Sequence, residues 1–328
     1  MVEEVLPHLY RIEVPLPRNP LKVLNSYLIK DRDRNLLIDT GFNQEECRRA
    51  MTSALEELDV DMNRTDLFIT HLHSDHLGQA GILSKPGSRI YFNEKEADII
   101  SEGHEKFVAQ WYQQLHDAYS TNGFPEDELD KAMAKHPGRR YEAKEKIDFT
   151  RVREGDIITA GDYSFRCIDT PGHSPGHMCL YEADKKIFVS GDHILFDITP
   201  NIAYWSVMKD PLKDYLASLD KVFPLEAEVV LPGHRSILKD HRQRIRELKE
   251  HHRARAEEAM TALAEGERNA YQVAPHITWD IRYRSWDAFP AAQKWFAFGE
   301  TLAHLIYLEG LGKVHRVYRD GMTLFART

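Results

Sequence analysis

Cysteine and long apolar runs are both scarce in this sequence of 328 residues. The three cysteines, Cys47, Cys167 and Cys179, are too few and too scattered for a disulfide framework or a cysteine-rich zinc ribbon, so they fit a reducing compartment. No apolar stretch approaches the roughly 18–20 residues that span a bilayer, which argues against a membrane protein. The first ten residues, MVEEVLPHLY, are acidic where a signal peptide would be basic and then apolar. We therefore expect a cytoplasmic protein.

The sequence also lacks a dense basic stripe. Its formal net charge is −9, and residues 1–235 hold 28 Lys and Arg against 40 Asp and Glu, whereas residues 236–328 hold 15 against 12. Nucleic-acid binding usually needs a much stronger concentration of positive charge on one face. A hydrophobic content of 42%, with 29% charged residues, is typical of a globular protein and excludes disorder as the main state.

Short apolar segments alternate with helical patterns in the first 235 residues, which predicts a layered α/β fold. The predicted helices cover 45–58 and the region near 214–222. A charged, loosely helical stretch at 94–148 interrupts the alternation, and we interpret it as a helical insertion that could act as a lid. The predicted strands are 9–14, 26–30, 35–39, 66–70, 156–158, 163–169, 178–183, 186–190 and 227–231.

The pattern changes after residue 235, which predicts a second, smaller domain over 236–328. A long amphipathic helix at 238–263 is followed by a short helix at 269–276, a helix from Pro290 to Glu309, and a hairpin of strands 314–319 and 322–326. This order is typical of a winged helix. Its third helix offers only Lys294 as a cation up to residue 308, so packing is favoured over DNA binding, although nucleic acid is not excluded. Contact with a partner subunit, as in a homodimer, stays open.

Histidine and aspartate are concentrated where predicted strands end. The segment His71-Leu72-His73-Ser74-Asp75-His76 follows one strand, and His173, Asp192 and His234 each follow another within loops rich in Gly and Pro. Tight loops at the carboxyl ends of strands turn side chains toward a common point. Five imidazoles and two carboxylates, without a thiolate, form a donor set that suits two divalent ions, of which Zn²⁺ is the first choice and Fe or Mn the alternatives.

The donors divide into two groups. His71, His73 and His173 would hold one ion, Asp75, His76 and His234 the other, and Asp192 could bridge the two. Two ions about 3.5–4 Å apart share a water molecule whose pKa falls from about 15.7 toward 7, which yields hydroxide at neutral pH. The sequence thus predicts a hydrolase.

The signature His71-Leu72-His73-Ser74-Asp75-His76, with His173, Asp192 and His234, resembles that of the metallo-β-lactamase superfamily. The resemblance implies an αββα sandwich over 1–235 with a dinuclear site between its sheets, and a catalytic Asp75 that both ligates a metal and orients the nucleophile. His73 stands where the flavodiiron branch has Glu, which disfavours di-iron oxygen reduction. The antibiotic-hydrolysing branches generally lack an acidic bridge at the position of Asp192, so β-lactam hydrolysis is disfavoured too.

Two subgroups bear on the substrate. The core is similar to hydroxyacylglutathione hydrolases (glyoxalase II), and residues from about 237 resemble the winged-helix extension of the β-lactamase-like-protein subgroup. Our leading prediction is therefore a dinuclear zinc hydrolase of a small acyl ester or thioester, such as a hydroxyacylglutathione or an acyl-CoA, acting through a metal-bridging hydroxide. The alternatives are a phosphodiesterase or endoribonuclease of that winged-helix type, and a metal-bound sensor without activity. The acidic charge of residues 1–235 argues against a polyanionic substrate.

Five further residues are candidates for support of the site or for its pocket. Asp39 resembles the family's buried aspartate that holds the ligand loop, and His177 is expected to stabilise its own loop without binding a metal. His193 could orient the substrate or cap its strand. Tyr204 and Trp205 could line the pocket or simply pack in the core.

Overall fold

Two β-sheets form the centre of the computed structural model, which describes residues 1–101, 104–134, 147–237, 240–280 and 283–328. The first sheet has seven strands in sequence order: β1 (Val2–Leu6), β2 (Leu9–Pro15), β3 (Val23–Ile29), β4 (Asn35–Ile38), β5 (Thr65–Ile69), β6 (Ile90–Asn93) and β7 (Thr150–Val152). The second sheet has the order β12-β11-β10-β9-β8, with β8 (Ile157–Ala160), β9 (Tyr163–Asp169), β10 (Met178–Glu182), β11 (Ile187–Gly191) and β12 (Val229–Pro232).

Helices cover the outer faces of the sheets and form most of the C-terminal part. They are α1 (Glu45–Glu57), α2 (Ser74–Leu77), α3 (Ala80–Leu83), α4 (Glu94–Ser101), α5 (His104–Thr121), α6 (Glu126–Ala134), α7 (Pro211–Val222), α8 (His241–Ala262), α9 (Ala270–Val273) and α10 (Ala291–Gly310). A hairpin of β13 (Val314–Arg319) and β14 (Met322–Arg327) follows α10.

Three apolar clusters order these elements into layers. One lies between the sheets and joins side chains such as Phe68 of β5 and Phe165 of β9. A second packs α1 on the outer face of the first sheet, and a third packs α7 and α8 on the second sheet. Strands buried on both faces read as continuous apolar runs, which is why β5, β10 and β11 are apolar along most of their length. The predicted α/β class and αββα sandwich are confirmed.

The insertion connects neighbouring strands of the first sheet. β6 and β7 pair in parallel, and α4, α5 and α6 lie between them in the chain. β1, β6 and β7 were not predicted from the sequence, because the four residues of β6 and the three of β7 are too short to show a period of two and β1 carries two consecutive glutamates. The part of the insertion at 135–146 lies outside the described residues, and the predicted lid stays a prediction.

A fourth apolar cluster joins the insertion to the C-terminal part. Leu129 and Met133 of α6 pack in one core with Phe298 and Leu305 of α10. The predicted order of long helix, short helix, helix and hairpin is present in α8, α9, α10 and β13–β14. The division at residue 235 and the winged-helix assignment stay predictions, but the shared core shows that the C-terminal part is packed against the insertion. Among the described residues, no helix combines the length and apolar character that crossing a bilayer requires.

Candidate metal centre

The histidine-rich loop after β5 is held by one buried aspartate. Asp39 lies just after β4 with a φ of 58°, a left-handed conformation that Asp tolerates better than most residues. Its Oδ1 accepts the Thr70 backbone N–H at 2.8 Å, and its Oδ2 lies 2.7 Å from Nδ1 of His76. Asp39 thus fixes both ends of the loop that carries His71 and His73.

The other predicted ligands also follow strands. His173 lies in the loop after β9, Asp192 directly follows β11, and His234 is two residues beyond β12. Gly233 is required for this convergence, because a Cβ there would lie 2.5 Å from Oδ1 of Asp192 and 2.9 Å from Cε1 of His76. All seven predicted ligands are therefore brought together at one edge of the sandwich.

Three imidazoles form the first half of the site. Nδ1 of His73 lies 2.9 Å from Nε2 of His71 and 3.0 Å from Nε2 of His173. Each of these nitrogens lies within 4.8 Å of the other two, as the ligands of one ion must. His71 also lies within this distance of His76 and Asp192, so the division of the donors between two ions stays a prediction.

The second half combines Asp75, His76 and His234, whose donor atoms also lie within 4.8 Å of one another. Nε2 of His234 lies 3.5 Å from Oδ2 of Asp75. Asp192 lies between the halves: its Oδ1 is 3.6 Å from Nε2 of His76, and its Oδ2 is 3.6 Å from Nε2 of His173. Asp192 therefore lies within reach of both groups of donors, and its role as a bridge stays a prediction.

Hydrogen bonds on the far side of the rings turn the free nitrogens inward. Nδ1 of His76 faces Asp39, Nδ1 of His173 donates to the Asn201 carbonyl at 2.9 Å, and Nδ1 of His234 donates to the Val23 carbonyl at 2.7 Å. A metal-binding imidazole normally uses its second nitrogen in this way. The tautomer that leaves Nε2 unprotonated is therefore favoured at His173, and at His234 the same kind of bond directs Nε2 toward Asp75 and Asp192.

Unpartnered polar atoms test whether a metal fits here. Nε2 of His76, Nε2 of His234 and Oδ1 of Asp192 are buried without a hydrogen-bond partner. Burial of such atoms costs free energy unless something satisfies them. Because all three point at the same small space, divalent cations fit this donor set.

The electrostatics of the two halves differ. Burial lowers the pKa of His73 to about 3 and that of His71 well below its usual value, so these imidazoles are neutral, the form that binds a cation. Burial also lowers the pKa of His234, but Asp192 and Asp75 outweigh it and raise the pKa to about 10. The half that contains the carboxylates therefore attracts positive charge, here in the form of protons.

The remaining predicted residues surround the donors without joining them. His177 lies 2.8 Å from Thr170 Oγ1 through Nδ1, and its Nε2 accepts the Asp192 backbone N–H at 3.1 Å, so it positions Asp192. His193 is fully buried against Tyr215, with a ring distance of 5.3 Å, and is not placed to meet a substrate.

The two aromatic candidates lie on a loop beside the site. Trp205 stacks on His73 at a ring distance of 5.9 Å and donates from Nε1 to the His173 carbonyl at 3.1 Å. Tyr204 is half-buried, packs against the C-terminal core and donates its backbone N–H to Gly299. Trp205 therefore borders the site, whereas Tyr204 anchors the loop.

Glu96 of α4 is a residue that the sequence analysis did not single out. It is fully buried, and its Oε1 accepts the Ser174 hydroxyl and, at 2.9 Å, the Gly176 backbone N–H. Burial raises the pKa of Glu96 to about 7, although the hydrogen bonds from Ser174, Gly176 and Leu72 oppose the rise. Glu96 thus connects the two histidine loops, and an acidic residue in a charged helix gave no signal of that role.

A buried set of imidazoles and carboxylates at one edge of an αββα sandwich defines a metal-binding protein of the hydrolase type. The sequence profile of the metallo-beta-lactamase superfamily matches residues 21–234 of the chain. The chain belongs to the metallo-β-lactamase superfamily.

Two of the following three relatives align along almost the whole chain. It is 26% identical to the probable metallo-hydrolase YqjP of Bacillus subtilis, with 97% of both chains covered. It is 24% identical to human acyl-coenzyme A thioesterase MBLAC2, over 64% of this chain and 72% of that protein. The crystal structure of the metallo-beta-lactamase family protein TTHA1429 from Thermus thermophilus superposes with a TM-score of 0.83 at 30% identity and covers 99% of this chain and 100% of that one. The C-terminal part therefore also occurs in relatives.

Proposed function

We propose that this protein is a dinuclear, zinc-dependent hydrolase of a small acyl thioester or ester, of the acyl-CoA or hydroxyacylglutathione kind. The observation that carries the proposal is the apolar wall of tryptophan side chains beside the metal-ligand candidate His73. His73 is the most exposed of the seven donors, because it is partly buried whereas the other six retain at most 8% of their surface, so a substrate approaches the site at this residue. Trp205 stacks on His73, and Trp111 of α5 lies 5.7 Å from Trp205.

The charge around the donors favours a carbonyl substrate over a phosphodiester. Within the described part of the chain, no lysine or arginine side chain forms an ion pair or hydrogen bond with any of the seven donors. A polyanionic backbone needs such cationic contacts, whereas an acyl chain needs an apolar wall. The name of the human relative, a thioesterase for acyl-coenzyme A, supports the same substrate class.

Each residue has a defined role in this proposal. His71, His73 and His173 hold one ion, Asp75, His76 and His234 hold the other, and Asp192 contacts both. Bound there, two divalent ions would supply Lewis acidity toward the carbonyl oxygen and a lowered pKa for water. Asp75, 8% exposed, accepts a hydrogen bond from a water molecule, orients it toward the substrate and receives its proton. Trp205 and Trp111 contact the acyl group and exclude bulk water.

A substrate panel tests the proposal on the full-length chain after zinc loading. We expect turnover of an acyl-CoA or of lactoylglutathione, and no turnover of bis(p-nitrophenyl) phosphate. Asp192→Asn should lower turnover at least 100-fold and reduce the zinc content. The matched control is Asp210→Asn, because Asp210 is also buried but caps the N-terminus of α7, where Asn serves equally well.

Two outcomes would overturn the proposal. Cleavage of the phosphodiester without cleavage of any thioester would replace it with the phosphodiesterase alternative. Unchanged turnover and zinc content in Asp192→Asn would contradict the bridging role of Asp192.

A further inference from the structure

The C-terminal helix α10 reaches the metal centre through one loop. We propose that Glu300 of α10 and Asn201 are positioning residues for the ligand His173, so that the C-terminal part sets the geometry of the three-histidine half of the site. This inference rests on the metal site of the proposed function but not on the choice of substrate. It extends the site by two residues that lie 28 and 127 positions beyond His173 in the sequence.

The segment 201–205 holds His173 from two sides. The Asn201 carbonyl accepts the proton on Nδ1 of His173 at 2.9 Å, which directs Nε2 toward His73. Nε1 of Trp205 donates to the backbone carbonyl of His173 at 3.1 Å. Both the ring and the backbone of this ligand therefore depend on where the segment 201–205 lies.

Helix α10 in turn fixes that segment. Nδ2 of Asn201 donates to Oε2 of Glu300 at 3.1 Å, and the Tyr204 backbone N–H donates to the Gly299 carbonyl at 3.1 Å. Gly299 permits the close approach, because a Cβ there would lie 2.4 Å from the Tyr119 hydroxyl and 3.2 Å from Cβ of Ala203. The segment and the helix are thus fitted to each other at both backbone and side-chain level.

Glu300 is itself held rigidly. It is 4% exposed, and its Oε1 forms an ion pair with Arg255 of α8. The Arg255 guanidinium lies 4.4 Å over the ring of Trp279. A carboxylate fixed by a buried arginine has little freedom to move, so it presents Oε2 to Asn201 in one orientation.

An alternative use of this cluster is a third cation site. Donor atoms of His251, His252 and Glu300 lie within 4.8 Å of one another, and Nε2 of both histidines is without a hydrogen-bond partner. However, both Glu300 oxygens are already engaged, and a cation would have to displace the positive charge of Arg255. The contacts therefore favour an anchor over a metal site.

Exchange of the two interacting groups tests the proposal. In Glu300→Gln, the amide oxygen stays on Arg255 and the amide nitrogen faces Nδ2 of Asn201, so two donors oppose each other. A flip of the Asn201 amide would turn its oxygen toward the Phe296 carbonyl, which Nδ2 faces at 3.5 Å. In Asn201→Asp, two carboxylates oppose each other. The double variant E300Q/N201D restores one donor and one acceptor with the polarity reversed. We expect each single variant to weaken binding of the first cobalt(II) or zinc ion 10–100-fold, as loss of a supporting contact typically does, and the double variant to recover most of it.

The measurements are chelator-competition titration of each ion and the visible spectrum of the cobalt(II) form, on the full-length chain. Lys294→Met is the matched control, because Lys294 is a buried charge on the same helix, paired with Glu128 at 2.8 Å. It should lower the free energy of unfolding but leave the cobalt spectrum and both affinities unchanged.

Three results separate the possible failures. Two bound ions in the wild type with unchanged affinities in both single variants would overturn this inference alone. If the double variant bound the first ion as weakly as the single variants, or if Lys294→Met also changed the cobalt spectrum, the two residues would have a merely structural role. Either result would overturn this inference as well. A wild type that binds no ion would overturn the metal site itself, and with it the proposed function.

Discussion

Glu96 offers a sharp test of how burial controls ionisation beside the site. It lies in α4 without exposed surface and joins the loop of His173, through Ser174 and Gly176, to the loop of His71. Replacement by Gln keeps the shape and the acceptor oxygen but removes the titration. The difference in unfolding free energy between wild type and Glu96→Gln therefore isolates this one group.

The expected change in unfolding free energy follows from the pKa values of Glu96 in the unfolded and the folded states. Burial raises the pKa of Glu96 from 4.5 to about 7, so the folded protein favours the protonated form. A group whose pKa is raised on folding stabilises the folded state at low pH, and this stabilisation is lost as the pH rises through the pKa that the group has in the folded state. Between pH 5 and pH 8 the wild type should lose about 2.5 kcal/mol relative to Glu96→Gln.

The assay is urea unfolding of the metal-free full-length chain at several pH values. The metal-free form is needed because nearby cations would favour the ionised carboxylate. Ser174→Ala should extend the loss to higher pH and enlarge it, since the Ser174 hydroxyl is one of the groups that oppose the raised pKa of Glu96. The control Ser218→Ala removes a buried hydroxyl that donates to the Pro171 carbonyl and should be independent of pH. A difference between wild type and Glu96→Gln that stays constant or grows from pH 5 to pH 8 would refute the reasoning.

Three further predictions concern the metal centre and the shared C-terminal core. Asp39→Asn keeps the left-handed backbone, which Asn tolerates, but removes the charge that faces Nδ1 of His76. We expect the second ion to bind 10–100-fold more weakly in a chelator titration, and equal affinity would contradict the role of Asp39. Phe298→Ala should lower the free energy of unfolding, measured with urea, by about 3–5 kcal/mol, because Phe298 is fully buried among Tyr119, Phe124 and Tyr271. A loss below about 1 kcal/mol would show that the core closes around the gap. Zinc at 100 times its dissociation constant should raise the unfolding free energy by about 2.7 kcal/mol for each bound ion, and an unchanged thermal midpoint on chelation would contradict a folded-state site.

The ligand set could be predicted from the sequence because its signals are local. His71, His73, Asp75 and His76 lie within six residues, and the structure brings them together with the three donors that follow later strands. The strand ends were predictable as well, since apolar runs followed by Gly and Pro mark them. The structure places these donors close to one another, and their division between two ions stays a prediction.

The supporting contacts could not be predicted because they depend on packing between distant segments. Glu96 and Glu300 look like ordinary charged helix residues, and only the fold shows that both are buried. Trp111 lies within the stretch predicted as a helical insertion, and its place beside Trp205 depends on how α5 docks. No periodicity in one segment encodes its distance from another.

The contact of Trp205 with two histidines has a practical consequence. One face of its indole ring lies on His73 and its N–H bonds the His173 carbonyl, so a charge that arrives at either imidazole changes the surroundings of the chromophore. The chain has five tryptophans, and Trp111 lies next to this one. The emission of the unlabelled protein should therefore change as ions or ligands enter, which would give titrations a built-in optical signal.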